Sequence, residues 1–166
     1  MYTTRYANIA LLVTTLIQYP FIMKKPYSNA EQVPSLWFPL VKKFYQAHYP
    51  SGKPNKADPI WVIRHENKIL CAVRLKHIAG AQLLTAMVTA PSHRNIGLGS
   101  HLINSIHPAL SEMPTYCFAF THLVPFYHAN HFTTISAKML PEELENRLRA
   151  YTAQGRNLTP MCYIRR

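Results

Sequence analysis

One short stretch of the sequence has the residue types that bind anions through the protein backbone. Pro91 and Arg94 precede two glycines, Gly97 and Gly99, and apolar residues then recur at every fourth position, as in a helix. The first amides of a helix have no intrahelical acceptor, and the positive end of the helix dipole lies beside them. A glycine lets a phosphate approach these amides because it has no Cβ. The spacing therefore predicts a site for a diphosphate group.

Three kinds of phosphate-binding loop share this physics, and their spacing separates them. A GxxxxGKS/T loop requires a lysine after its second glycine, where this chain has Ser100. A GxGxxG dinucleotide loop requires a glycine at the position of Leu102. The arrangement that remains is Arg94-x-x-Gly97-x-Gly99, between a β-rich run and a periodic helix.

This loop and a downstream aromatic segment resemble the GCN5-related N-acetyltransferase (GNAT) family. The loop is similar to the family's acyl-coenzyme A loop, and residues 126–132 look like its Tyr-x-x-x-Gly-Phe motif. The resemblance covers the chain from about residue 21 to the C terminus. It implies an α/β (mixed α+β) fold, in which a central mixed and mostly antiparallel sheet is flanked by helices. It also implies an acyltransferase that moves an acetyl group from acetyl-CoA directly to a primary amine.

Carried over residue by residue, the resemblance assigns the acetyl-CoA site to the loop and to the strand before it. The backbone of Met87, Val88 and Thr89 would pair with the pantetheine arm, as if the cofactor were another strand. The amides of residues 95–100 would then face the pyrophosphate. The implied cofactor-binding residues are Met87, Val88, Thr89, Arg94, Asn95, Ile96, Gly97, Leu98, Gly99 and Ser100.

Transfer of an acetyl group from a thioester to an amine needs a proton donor for the sulfur and a base for the amine. Tyr127 matches the tyrosine that protonates the departing thiolate in the family, although packing of a buried ring would also explain it. Carboxylates are scarce, since the chain has only seven, and none lies in the predicted strands 82–89 and 116–120. The candidate bases are therefore His122 and, as second choice, His77, each of which could instead be a surface or core histidine.

The sequence departs from the family pattern at two positions near Tyr127. Phe120 stands where the family often has a cofactor-holding asparagine, so we expect a different grip on the cofactor there. His131 replaces the glycine of the Gly-Phe pair, where left-handed backbone would cost about 1 kcal/mol. His122, His128 and His131 have no thiolate or carboxylate beside them in the sequence, so we predict no metal site.

The hydrophobic pattern supplies the elements that must position these residues. The predicted helices run from residue 36 to about 48, from Gly97 to a break at Pro108, over 125–129 and onward from Pro141. The predicted strands cover 60–64, 69–75, 82–89, 116–120, a run from 132, and 161–164. The first three strands should form an antiparallel meander. The helix after the glycines should carry the chain over to the fourth strand.

The composition fits one basic globular domain. The chain has 166 residues, 48% of them hydrophobic, and 18 lysines and arginines against 7 aspartates and glutamates give a charge of +11. That charge suits a phosphate-rich cofactor, an anionic membrane or a nucleic acid. A basic nucleic-acid-binding module is the alternative function, although no helix-turn-helix, zinc finger or RNA-binding aromatic motif is present. A transferase with an RNA-linked or anionic acceptor combines the two, whereas this surface would repel strongly cationic acceptors.

The N-terminal residues and the cysteines bear on domain boundaries and location. Residues 7–17 are apolar but shorter than the roughly 20 residues of a membrane span, and no small-x-small cleavage site follows them. Three widely spaced cysteines exclude a disulfide framework and favour a reducing cytoplasm. We therefore predict a cytoplasmic protein with no membrane partner, and a homodimer is compatible with the sequence. Residues 1–22 would be an N-terminal extension of uncertain role, and 23–166 a single acetyltransferase domain.

Overall fold

The computed structural model describes residues 27–165 of the chain, which form seven strands and five α-helices. The strands are β1 (Glu31–Gln32), β2 (Ile60–His65), β3 (Lys68–Ile78), β4 (Ala81–Thr89), β5 (Thr115–Phe120), β6 (Phe132–Thr134) and β7 (Leu158–Tyr163). The helices are α1 (Phe38–His48), α2 (Leu98–Ser105), α3 (His107–Ser111), α4 (Val124–His128) and α5 (Glu142–Ala153). Short 3-10 turns occupy Ser35–Trp37, Pro50–Gly52, Pro91–His93, Thr121–Leu123 and Ala137–Met139. The predicted boundary after residue 22 lies outside the described residues.

The strands of this region form one sheet in the order β1-β2-β3-β4-β5-β7-β6. Every neighbouring pair is antiparallel except β4 and β5, which run parallel. A parallel pair needs a crossover connection, and α2 and α3 supply it. The prediction of a mixed, mostly antiparallel sheet flanked by helices is therefore confirmed.

The ends of the elements differ from the predicted ones by a few residues. The helix expected from residue 36 begins as a 3-10 turn, and α1 proper starts at Phe38 with Pro39 in its first turn, where a missing amide costs nothing. The break expected at Pro108 separates α2 from α3 around Ile106, since proline has no amide for a continuous helix. The two-residue strand β1 was not predicted, because so short a segment has no period to recognise.

Helices cover both faces of the sheet. Leu83 and Leu84 are neighbours on β4 and join different core clusters, as expected for successive strand residues that point to opposite faces. α2, α3 and α4 pack on the face of Leu84 and form the largest cluster. α1 and α5 cover the other face, where Val41 and Leu144 are fully buried. The sheet therefore lies between two helical layers.

β4 and β5 separate before either strand ends. Their parallel register pairs Leu84 with Cys117 and stops there, although both strands continue. A β-bulge displaces β4 at this point, and Ala86 within it has a left-handed φ of +52°. From α1, the Tyr45 hydroxyl donates a hydrogen bond of 2.8 Å to the Ala86 carbonyl and so holds the bulge. The two strands therefore enclose a gap at their carboxyl ends.

Candidate active site

A cleft of about 570 Å³ lies between the end of β4, the glycine loop (residues 90–97) and α4. We call it the loop cleft. The predicted site residues that line it are Met87, Val88, Thr89, Arg94, Asn95, Gly97, Leu98, Gly99, Ser100, His122 and Tyr127. Ile96, which was also predicted to bind the cofactor, is 54% exposed and does not line the cleft. The structure thus brings the predicted cofactor and catalytic residues to one place.

The glycine loop leaves a row of amides without acceptors. Asn95 and Gly97 have left-handed backbone, with φ of +61° and +79°. No side chain caps α2, and its first internal hydrogen bond runs from the His101 amide to the Gly97 carbonyl at 2.9 Å. Within residues 27–165, no group accepts a hydrogen bond from the backbone amides of residues 95–100. Such a row at the positive end of a helix is suited to binding phosphate oxygens.

Arg94 fixes the loop to the strand before it. Its Nε donates a hydrogen bond of 3.2 Å to the carbonyl of Thr89, the last residue of β4. The guanidinium also adds positive charge to the loop cleft, which no aspartate or glutamate of the described chain lines. The cleft therefore attracts an anionic ligand.

Gly99 is required for close packing. A Cβ at this position would lie 3.1 Å from Met87 Cε and 3.2 Å from Phe126 Cζ, closer than ordinary van der Waals contact. Both of those side chains line the loop cleft. A larger residue at position 99 would therefore displace the wall of the cleft.

The gap between β4 and β5 opens a second cleft of about 250 Å³, which we call the strand-gap cleft. Its walls include residues 83–87 of β4 and 118–120 of β5. The residues that line both clefts are Tyr49, Met87, Leu123 and Tyr127. Tyr127 therefore stands where the two clefts meet.

Tyr127 is a buried tyrosine whose hydroxyl keeps its proton. Its ring packs edge-on against Phe126 and Phe132, with centroids 5.1 and 5.5 Å away. Burial, and to a smaller extent the nearby Cys117 thiol, raises the pKa of the hydroxyl well above its usual value. No group in the described part of the chain accepts a hydrogen bond from this hydroxyl. The proton is therefore available to a ligand at the junction of the clefts.

The turn after α4 has the left-handed backbone that a glycine would adopt there. His131 has φ of +65° in spite of its Cβ. The neighbouring Asn130 is buried, and its Nδ2 donates to the Phe126 carbonyl at 2.7 Å and to Ser100 Oγ at 3.0 Å. These bonds tie the end of α4 to the start of α2, so the departure at His131 leaves Tyr127 beside the glycine loop.

The structure separates the two candidate bases. His122 lies in the turn after β5, lines the loop cleft and stacks on the ring of Phe120 at 6.0 Å. His77 is exposed near the end of β3, opposite Gln82, and lines neither cleft. Phe120, at the position of the family's asparagine, lines the strand-gap cleft. Of the two histidines, His122 alone can meet a ligand in these clefts.

Three residues that shape the site were not among the predicted site residues. Tyr49 lines both clefts, Tyr45 holds the bulge at Ala86, and Asn130 joins α4 to α2. Tyr45 and Tyr49 are spaced four apart like core residues, and no local feature distinguishes a ring that packs from one that faces a cleft. The only signal for Asn130 was its place inside the segment 126–132.

Other chemistry-bearing groups are placed as follows. All three cysteines are free, and burial raises the pKa of the Cys117 thiol well above its usual value, so Cys117 is a packed thiol and a poor nucleophile. Among residues 27–165, no three His, Cys, Asp or Glu side chains are grouped so that they could hold a metal ion. The described helices are all too short or too polar to cross a membrane.

Comparisons with known proteins find an acetyltransferase domain in this chain. A family model described as an acetyltransferase (GNAT) domain matches residues 56–134, which include the loop and the Tyr127 segment. No curated protein sequence matches the chain.

Solved acyltransferase structures share the fold at low sequence identity. N-acetylglutamate synthase from Neisseria gonorrhoeae, complexed with coenzyme A and N-acetyl-glutamate, gives a TM-score of 0.62 at 16% identity, over 84% of this chain and 35% of that one. The chain thus spans about a third of that enzyme's length. Naa50 from Arabidopsis thaliana, in complex with the bisubstrate analogue CoA-Ac-MVNAL, gives 0.59 at 16% identity, covering 84% and 99%. An acyl-CoA N-acyltransferase from Pseudomonas aeruginosa gives 0.53 at 12% identity, covering 83% and 98%. Residues 56–134 of this chain therefore match the acetyltransferase (GNAT) domain, and the solved acetyltransferase structures share its fold.

Proposed function

We propose that this protein is an N-acetyltransferase that moves the acetyl group of acetyl-CoA directly to a primary amine. The position of Tyr127 carries the proposal, because its side chain lies where the loop cleft meets the strand-gap cleft. One cleft then holds the acetyl donor and the other admits the amine, so the two substrates meet beside a buried hydroxyl. The similar structure that is complexed with coenzyme A supports the same donor.

The residues of the loop cleft fit coenzyme A. The amides of residues 95–100, which lack acceptors, can bind the pyrophosphate beside the positive charge of the loop. Beyond Leu84, the edge of β4 that faces β5 has no strand partner. The backbone of Met87, Val88 and Thr89 can therefore pair along that edge with the amides of the pantetheine arm, as an added strand would.

Tyr127 is the proton donor in this proposal. Acetyl-CoA supplies a thioester whose carbonyl carbon accepts the amine, so that an amide forms and coenzyme A departs as a thiol. The raised pKa of Tyr127 keeps its proton in place until the sulfur can receive it. The burial that disfavours a phenolate equally disfavours a thiolate at the same place, so proton transfer accompanies the departure of the sulfur.

His122 is the base in this proposal, either directly or through a water molecule. An amine with a pKa of about 10.4 is neutral in only about one molecule per thousand at neutral pH, so a group that accepts its proton accelerates the attack. His122 lines the loop cleft, and no carboxylate of the described chain lines either cleft. The buried Cys117 thiol, with its raised pKa, favours direct transfer over an acyl-cysteine route.

Two measurements with the full chain test the proposal. Calorimetry with coenzyme A should give saturable binding, and a free-thiol assay with acetyl-CoA and a panel of amines should give thiol release that depends on the amine. Mass spectrometry of the chain mixed with acetyl-CoA alone should detect no acetylated protein. Lack of coenzyme A binding, or thiol release that ignores the amine, would remove the proposal. An acetylated protein would replace direct transfer with a covalent route.

A further inference from the structure

The strand-gap cleft is lined by arginines and by no carboxylate. Arg74 of β3 and Arg156, which follows α5, both line it. The chain has only seven aspartates and glutamates, all within residues 27–165, and none of them lines this cleft. A molecule that enters the cleft therefore meets positive charge.

Arg74 is nearly buried and keeps hydrogen-bond donors free. Its side chain is 14% exposed, and its Nη1 donates a hydrogen bond of 2.7 Å to the Lys53 carbonyl. Its Nε stands 3.6 Å from Asp58 Oδ2, too far for a hydrogen bond, and neither atom has another partner in the described chain. A guanidinium has five N–H groups to donate. Asp58 balances part of the charge of Arg74, but donors remain for a ligand.

Arg156 carries a charge that no carboxylate of the described chain balances. Its Cζ lies 5.0 Å from the centre of the Tyr151 ring, which also lines the cleft. Its backbone amide donates to the Tyr151 carbonyl at 3.3 Å, which brings the chain back over that ring. A cation–π contact orients a guanidinium without neutralising it. Arg156 is therefore positioned and charged at the cleft.

We propose that the acceptor is a small molecule that carries an anionic group, a carboxylate or a phosphate, in addition to its amine, and that Arg74 and Arg156 bind that group. The inference rests on the proposed function and names the class of acceptor for it. Arginine binds both kinds of oxyanion, often through two parallel hydrogen bonds. The anionic end lies toward the arginines, and the amine reaches the junction at Tyr127. A cleft of about 250 Å³ suits an acceptor of amino-acid size.

The same charges reject the opposite class of acceptor. A polyamine or a lysine-rich peptide would place a second ammonium group beside Arg74 or Arg156, and like charges in one cleft are destabilising. The enzyme should therefore select its acceptors by the charge on the part of the molecule that does not carry the reacting amine.

The test compares pairs of acceptors that differ in the anionic group. One pair is L-phenylalanine and L-phenylalaninamide, and the other is O-phosphoethanolamine and ethanolamine, so the two pairs separate carboxylate from phosphate. Thiol release from acetyl-CoA is measured for each, and kcat/KM is expressed per neutral amine, because the amine pKa differs within a pair. At least one anionic member should exceed its uncharged partner by about tenfold or more. Binding of all four probes to coenzyme A-loaded protein is followed by calorimetry in parallel.

Substitutions test whether the arginines cause the preference for anionic acceptors. Arg156→Gln should raise KM for the anionic acceptor by about tenfold and leave kcat within about twofold of the parent value. The kcat/KM values of the anionic acceptor and its uncharged partner should then be nearly equal. Arg149→Gln is the matched control, because Arg149 is exposed on α5, pairs with Glu145 at 3.2 Å and lines neither cleft. That variant should keep the preference of the parent. Raised salt should reduce the preference in the parent.

The outcomes separate this inference from the function on which it rests. If coenzyme A does not bind and no amine releases thiol, the proposed function fails. If coenzyme A binds but neither anionic probe binds or reacts better than its uncharged partner, the assignment of an anionic acceptor is overturned. A preference that survives Arg156→Gln unchanged would also overturn it, because the charge would then be recognised elsewhere.

Discussion

Gly97 provides the sharpest test of the glycine loop, because its conformational and its ligand-binding roles can be separated. An alanine there would keep the left-handed φ of +79°, and its Cβ would meet no atom within 4 Å. The cost to the folded chain is then only that of left-handed backbone, about 1–2 kcal/mol. For a chain of this size that corresponds to a fall in Tm of roughly 2–8 °C.

Gly80 is the matched control for this substitution. It lies in the turn between β3 and β4, has φ of +75°, and its Cβ would also meet nothing within 4 Å. Gly80→Ala should therefore lower Tm by about as much as Gly97→Ala. Gly80 lines neither cleft, so only Gly97→Ala should change ligand binding.

The expected effect on binding follows from the open space above Gly97. A Cβ would project into the space in which the pyrophosphate approaches the loop amides, so we expect coenzyme A affinity to fall tenfold or more, about 1.4 kcal/mol, by calorimetry. Gly80→Ala should bind coenzyme A like the parent. The reasoning is refuted if Gly97→Ala also binds like the parent while both variants show the same fall in Tm, because the loop amides would then not hold the ligand.

Three further predictions concern the remaining parts of the site. Tyr127→Phe should lower kcat about a hundredfold with little change in coenzyme A affinity. Tyr116→Phe is the control, because Tyr116 lies on β5 outside both clefts, and this variant should have the kcat of the parent. Equal kcat values in the two variants would exclude Tyr127 as the proton donor. Asn130→Ala removes the hydrogen bonds to the Phe126 carbonyl of α4 and to Ser100 Oγ of α2, and it should cost about 1–3 kcal/mol in the free energy of unfolding, measured in urea. An unchanged midpoint would contradict the role given to Asn130. Burial raises the pKa of the Cys71 thiol from 9.0 to about 11, so the folded chain keeps a proton that the unfolded chain loses, and stability should fall by up to about 1.4 kcal/mol per pH unit between those values. Cys71→Ala should flatten that fall, and parallel profiles for the two proteins would contradict the assignment.

The glycine loop could be predicted because its chemistry depends on residues that are close in sequence. Arg94, Gly97 and Gly99 lie within six positions, and the backbone angles that expose their amides follow from glycine and from the start of a helix. The same is true of Tyr127, which lies on α4 in a short aromatic segment that follows β5. Local spacing also predicted the meander, because its strands are apolar β-rich runs that short polar or glycine-containing turns connect.

The strand-gap cleft could not be predicted, because its parts are distant in sequence. Ala86 looks like any residue of a β-rich run, and its left-handed backbone depends on a hydrogen bond from Tyr45, 41 positions earlier. Arg74 and Arg156 are far apart in the sequence and line one cleft only because β4 and β5 separate. Single side chains that gain a role from tertiary contacts have no pattern for sequence analysis to recognise.

Because β4 and β5 separate, a ligand that lies between them would contribute to the stability of the folded chain. The two halves of the sheet are joined there by a short parallel register, and a molecule lying along β4 would extend the contacts across it. A ligand that binds only the folded chain stabilises it by about 2.7 kcal/mol at roughly a hundred times its Kd, which raises Tm by about 5–11 °C at this chain length. In a cell, chains without ligand would unfold more often and meet proteases more often. The abundance of this protein should therefore follow the supply of its own acetyl donor.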